Sequence, residues 1–177
     1  MISEQAKDSI ERIFCQAART RLTVGAGDSC DVAHGTPHGG AADGEVVVLT
    51  ISSIAFRLLL ILHFDHNDDA MRSYYLGARQ ATLTESLLEI GNLCCGAMNQ
   101  QLVEYFPDLG MSTPYVLSGQ CVPYLDQLKP DFLVSYHVTV NRAVHLGATL
   151  CVCADSPLDF VANVSEVAES VGELELF

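Results

Sequence analysis

The sequence predicts an α/β fold in which one mainly antiparallel β-sheet is covered by α-helices. Three observations carry that expectation. Two long apolar runs, residues 45–50 and 54–64, meet at Ser52-Ser53, as an antiparallel pair joined by a tight turn would. A second pair, residues 132–140 and 144–153, is split by the polar dipeptide Asn141-Arg142, and its first run alternates Phe, Val, Tyr, Val and Val with Leu, Ser, His and Thr. Between the pairs lies TESLLEIGNLCCGAMNQQLVEY, residues 84–105, whose apolar positions recur with the helical period.

Taken in order, residues 3–19 read as a first helix, with Ile10, Ile13, Phe14 and Ala17 on one side. Residues 21–25 suggest a short strand. The Gly-, Asp- and His-rich stretch 26–44 reads as a mobile loop. After the first strand pair, residues 68–77 predict a short helix ended by Gly77. The central helix is opened by Thr82 or Thr84 as a cap and closed by Phe106-Pro107. Residues 114–118 read as a strand and 122–128 as a short helical or irregular crossing. Residues 155–172 are expected to form a terminal helix with Phe160, Val161, Val164, Val167, Ala168 and Val171 as its apolar side.

At 177 residues the chain predicts a single domain, 1–177, with a core that needs neither metal nor disulfide. Its 49% hydrophobic and 18% charged composition excludes disorder. A net charge of −13 argues against nucleic acid or an acidic membrane as partner and favours a protein with a basic patch or a cation-bearing site. The seven cysteines, odd in number and set in apolar runs, read as free core residues of a reducing compartment. The N-terminus lacks the apolar block of a signal peptide. Residues 51–64 are too short to span a bilayer and are interrupted by Arg57, so a cytoplasmic protein is expected.

Spacing at about 100° per residue puts Glu85, Glu89, Asn92, Gly96, Asn99 and Gln100 in one arc of the central helix, opposite Leu87, Ile90, Cys94, Ala97, Met98 and Leu102. The polar stripe is therefore expected to face outward. A solvated face would ordinarily carry lysine or arginine in helix-supporting pairs, and this stripe has only acids and amides. Gly96 at its middle costs roughly 1 kcal/mol relative to alanine, a cost explained if something approaches the backbone there.

The string Glu85-x3-Glu89-x2-Asn92, followed by Pro114, resembles the signature of the CheC/CheX/FliY family of chemotaxis phosphatases. EIGNLCCGAMN resembles that family's Glu-x-x-Asn-x-x-x-Gly stretch, and TPYVLSG the strand entered by its proline. The single copy makes the chain most similar to CheX. The resemblance implies hydrolysis of the aspartyl phosphate of a CheY-like response regulator. Asn92 would orient the attacking water, and Glu89 would dock on a lysine of the regulator. Mg²⁺ is expected on that regulator, and no cofactor of this chain's own is implied. Glu85 stands where the family has serine or aspartate. Glu85, Gly96, Asn99, Gln100 and Pro114 would be partner-binding residues. Proteins of the CheX type commonly dimerise, so a homodimer is also implied.

Plainer alternatives stand beside this. The stripe could be an ordinary exposed helix face, or the fold could serve as a non-catalytic receiver-binding or flagellar-switch module. His63 and His66 in HFDHNDD, with His34 or His38, suggest a metal site. A polar strand-to-helix turn is the simpler account, and no metal is assigned. Cys151 and Cys153 alternate onto one strand face as packing residues, and His137 and His145 read as sheet-surface histidines.

Overall fold

A computed structural model describes residues 1–36, 44–77 and 80–164. Its elements run α1 (Glu4–Arg21), β1 (Cys30–Gly35), β2 (Glu45–Ser52), β3 (Phe56–Phe64), α2 (Asp69–Leu76), α3 (Leu83–Leu102), β4 (Gly110–Met111), β5 (Tyr115–Ser118), a 3-10 segment (Gly119–Leu128), β6 (Phe132–Val140) and β7 (Val144–Ala154). The seven strands form one sheet in the order β1-β6-β7-β3-β2-β4, with β5 also on β2. Every strand pair is antiparallel. Among the described residues no helix is long and apolar enough to cross a membrane.

The apolar periods in the sequence explain the two layers. On β2 and β3, Val47, Leu49, Ile51, Phe56, Leu58, Leu60 and Leu62 alternate onto one face, where they meet Ile10, Ile13 and Phe14 of α1 and Leu87, Cys94, Met98 and Leu102 of α3. Each fully buried aliphatic side chain here is worth about 1.5–3 kcal/mol. Ser3 caps α1 by accepting the Ala6 N–H, and Asp68 caps α2 by accepting those of Ala70 and Met71. The Asn141-Arg142 turn has φ of 50° and 58°, the left-handed pair that a tight hairpin of this kind requires.

The opposite sheet face carries a smaller cluster, Val46, Val48, Ile61 and Cys151, roofed by Val122 and Leu125 of the 3-10 segment. Beside it His63, 8% exposed, is hydrogen-bonded to Thr149 at 2.9 Å, and Thr149 to Ser135 at 2.8 Å. Gly147 leaves room for the ring: a Cβ there would sit 3.0 Å from the His63 Cβ. Burial holds the imidazole pKa down at about 4, so His63 is neutral around pH 7.

Three expectations need correction. Residues 21–25 are not a strand: α1 continues to Arg21 and the chain then turns. The stretch 26–44 is not wholly loop, because Cys30–Gly35 is an edge strand on β6. Its glycine, which reads as a breaker, is needed where the His137 ring crosses, since a Cβ on Gly35 would come within 2.8 Å of His137 Cδ2. Residues 37–43 lie outside the described part. The expected terminal helix is absent over 155–164, and the rest of that span lies outside the described residues. Pro157 disfavours helix before it. Leu158, Phe160, Ala162 and Val164 turn inward at every second residue, which is the period of extended chain. This strap bridges Leu158 to Ile2 and donates the Ala162 N–H to Ser9 and the Asn163 N–H to Tyr105.

Candidate functional site

Helix α3 starts at a capping box. The Thr82 hydroxyl accepts the Glu85 N–H at 3.2 Å, while the Glu85 carboxylate accepts the Thr82 N–H at 2.8 Å and its hydroxyl at 2.9 Å. The backbone N–H and then the hydroxyl hold the Glu85 carboxyl below the usual carboxylate range. Glu85 therefore has a local task, to fix the first turn.

The glycine that admits a close neighbour is Gly91, on the inner side. A Cβ at Gly91 would stand 3.2 Å from Leu49 Cδ1 and 3.3 Å from Leu62 Cδ1 and Val47 Cγ1, so its absence lets α3 lie directly on β2 and β3. A Cβ at Gly96 would meet no described residue within 4 Å. The two glycines should separate cleanly in denaturant melts. Gly96→Ala should gain about 0.5–1 kcal/mol from helix propensity, whereas Gly91→Ala should lose that gain to crowding. Equal shifts for both would contradict this seating.

On the outer side the polar residues differ in what they do. Glu89 and Asn92 are exposed, and the side chain of neither bonds to another described residue. Gln100 is also exposed and Gly96 half-buried. Asn99 departs from the stripe: it is half-buried, and its carboxamide oxygen is shielded without a hydrogen-bond partner among the described residues. Pro114 is half-buried where the chain enters β5, on the edge of the strand that α3 covers, a position that requires no ladder N–H. The first turn, the Gly91 seat and the buried Cys94 and Cys95 make a rigid base beneath Glu89 and Asn92. Burial pushes the Cys95 thiol up to about 12 and the Cys94 thiol up as well, so both stay protonated.

The histidines are engaged elsewhere. His66 pairs with Glu45 at 2.7 Å, His34 lies 3.3 Å from Glu11, and His38 is outside the described residues. Among the described residues no group of three or more His, Cys, Asp or Glu could hold a metal ion.

No family model matches the chain, and no curated protein matches its sequence. Solved structures do match. The chemotaxis protein CheX from Vibrio vulnificus superposes with a TM-score of 0.57 at 16% identity, over 81% of this chain and 98% of that one. This is the CheX fold. A chain of the CheX-CheY-BeF3-Mg²⁺ complex from Borrelia burgdorferi gives a TM-score of 0.55 at 12% identity, over 84% of this chain and 97% of that one. The FliM middle domain from Vibrio alginolyticus gives 0.56 at 8% identity, over 82% and 92%. At these identities the likeness is one of fold. The sheet with its covering helices is common to proteins of different tasks, and the residues on α3 must carry the functional argument.

Two exposed apolar residues beside that site were not singled out from sequence. Leu93, 49% exposed, is four residues on from Glu89 and so shares its ridge. Val24, 54% exposed, sits on the turn that follows α1. Neither is polar, so the helical spacing of polar side chains does not mark them. The available signal was a leucine about 20° outside the polar arc.

Proposed function

We propose that this chain dephosphorylates a CheY-like response regulator by inserting the outer ridge of α3 into the regulator's phosphorylation site. The observation that carries the reading is that Glu89 and Asn92 stand exposed one helical turn apart, their side chains unengaged by any other described residue, on a helix packed closely from below. A carboxamide both donates and accepts, so Asn92 can hold a water in line with the aspartyl-phosphate P–O bond without repelling the phosphoryl group. Water oxygen attacks phosphorus, the bond to the aspartyl carboxylate breaks, and inorganic phosphate leaves with the water's protons. Glu89 supplies a charge-assisted bond to a cationic side chain of the regulator. The Mg²⁺ of such a reaction belongs to the regulator, and this chain brings no cofactor. The net charge of −13 suits a partner that presents a cation. The likeness to a chain of a CheX-CheY complex supports the choice of partner.

The second reading is a non-catalytic receiver-binding or switch module, which the FliM likeness favours. Loss of phosphate from a phosphorylated receiver domain separates the two. Substoichiometric amounts of this chain should speed that loss over the receiver's own rate. Binding with an unchanged rate would establish the module reading instead.

A further inference from the structure

We propose that Val24 and Leu93 form a second, apolar contact that seats the same receiver domain beside Glu89 and Asn92, taking an aliphatic or aromatic side chain from a loop bordering its phosphorylation site. The inference rests on the partner class proposed above and adds where that partner is gripped. Leu93 lies four residues beyond Glu89, on the same side of α3, so a body seated on Glu89 comes up against it. Between Leu93 and the turn after α1 lies an open cleft of about 250 Å³ lined by Thr20, Arg21, Thr23, Val24, Gly25, Ala26 and Leu93. That is roughly the room one large side chain and its flanking peptide occupy.

The turn that carries Val24 is pinned by side chains from distant elements. The Tyr74 hydroxyl of α2 accepts the Val24 N–H at 2.7 Å and donates to Asp28 at 2.6 Å. Asp28 also accepts the Gly25 N–H at 2.7 Å and the Asn141 amide at 2.7 Å, while Asn141 accepts the Ser29 N–H at 3.0 Å. Those bonds hold the Asp28 carboxyl below the usual range, Tyr74 being the largest cause. An exposed valine held this firmly needs little further ordering when it is covered. The threonine hydroxyls of the cleft donate to α1 carbonyls, Thr20 to Gln16 and Ala17 and Thr23 to Arg19. Two half-exposed apolar side chains flanking exposed backbone fit a peptide loop bearing one apolar residue.

The test is to titrate a CheY receiver domain loaded with beryllofluoride and Mg²⁺ into the wild type, Val24→Ser, Leu93→Ser, the double variant and Asn92→Ala. Tyr124→Ser, at an exposed position in the 3-10 segment, is the control. Kd should rise about 5- to 10-fold for each single serine variant and more for the double, with the hydrolytic rate at saturation unchanged. Tyr124→Ser should bind as the wild type does. A double variant with wild-type Kd, while Asn92→Ala still loses rate, overturns the second contact and leaves the phosphatase reading standing. A wild type that neither binds nor dephosphorylates the receiver overturns that reading and this contact with it.

Discussion

Asn92→Ala should slow receiver dephosphorylation at saturating concentration by about 100-fold or more, with Kd for the activated receiver changed only a few-fold. An amide that positions the nucleophile acts in the transition state, and misplacing a reacting water by about 1 Å already costs on the order of 10² in rate. Asn92 is exposed and its side chain makes no bond within the described chain, so its loss leaves the fold intact and the melting temperature should not move. Asn92→Asp sharpens the test. It keeps the shape but sets a negative charge against the phosphoryl oxygens, and it should be at least as poor as alanine. Glu89→Ala should show the other pattern, a weaker Kd with a smaller loss at saturation, because its bond to the regulator forms on docking. Rates equal to wild type for Asn92→Ala, followed by release of phosphate, would remove the proposed mechanism.

Acidification should destabilise the protein through His63 before the carboxylates take effect. The imidazole pKa is about 4 in the folded chain against 6.5 for an ordinary histidine, so the unfolded chain binds the extra proton between those values. Stability is therefore full above about pH 6.5 and falls as the pH drops toward 4. The loss between pH 7 and pH 4.5 is on the order of 2–3 kcal/mol, a large part of a typical stability. Asp28 and Glu85, whose carboxyls are held low by hydrogen bonds, lose their contributions only further down in pH. His63→Gln keeps a partner for Thr149 without a titrating ring. Urea midpoints at pH 7 and pH 4.5 should converge for that variant and diverge for the wild type. Parallel shifts in the two proteins would assign the acid sensitivity to other groups.

The elements that could be read from sequence are those whose period is set by one-sided burial over many residues. β2, β3, β6, β7 and α3 fall in this class, because each presents a long apolar face to the same core. β1 was hidden by being a short edge strand with Gly35 and His34, residues that signal a loop unless the crossing His137 ring is known. The strap at 158–164 reads as helix in the sequence because Phe160 and Val164, four residues apart, satisfy both the helical period and the two-residue period of extended chain. That Glu89 and Asn92 lie exposed on the outer side of α3 was legible from the helical spacing. The close packing of Gly91 was not legible, since only the fold shows that this glycine faces Leu49 and Leu62. Asp28 could not have been found from sequence. Its partners Tyr74 and Asn141 are 46 and 113 positions away, and only the fold brings the three together.

The strand order also bears on how this protein is made. β7 lies between β6 and β3, so the last of the seven strands to leave the ribosome is the one that joins the two halves of the sheet. Until it arrives, β3 has one edge open, and β6, where Tyr136 meets Phe14 and Glu11 of α1, is not joined to it. Folding must wait for nearly the whole described chain, which places it among slow, long-range topologies. A nascent chain stalled before β7 presents a bare hydrophobic strand to any chaperone or neighbouring polypeptide.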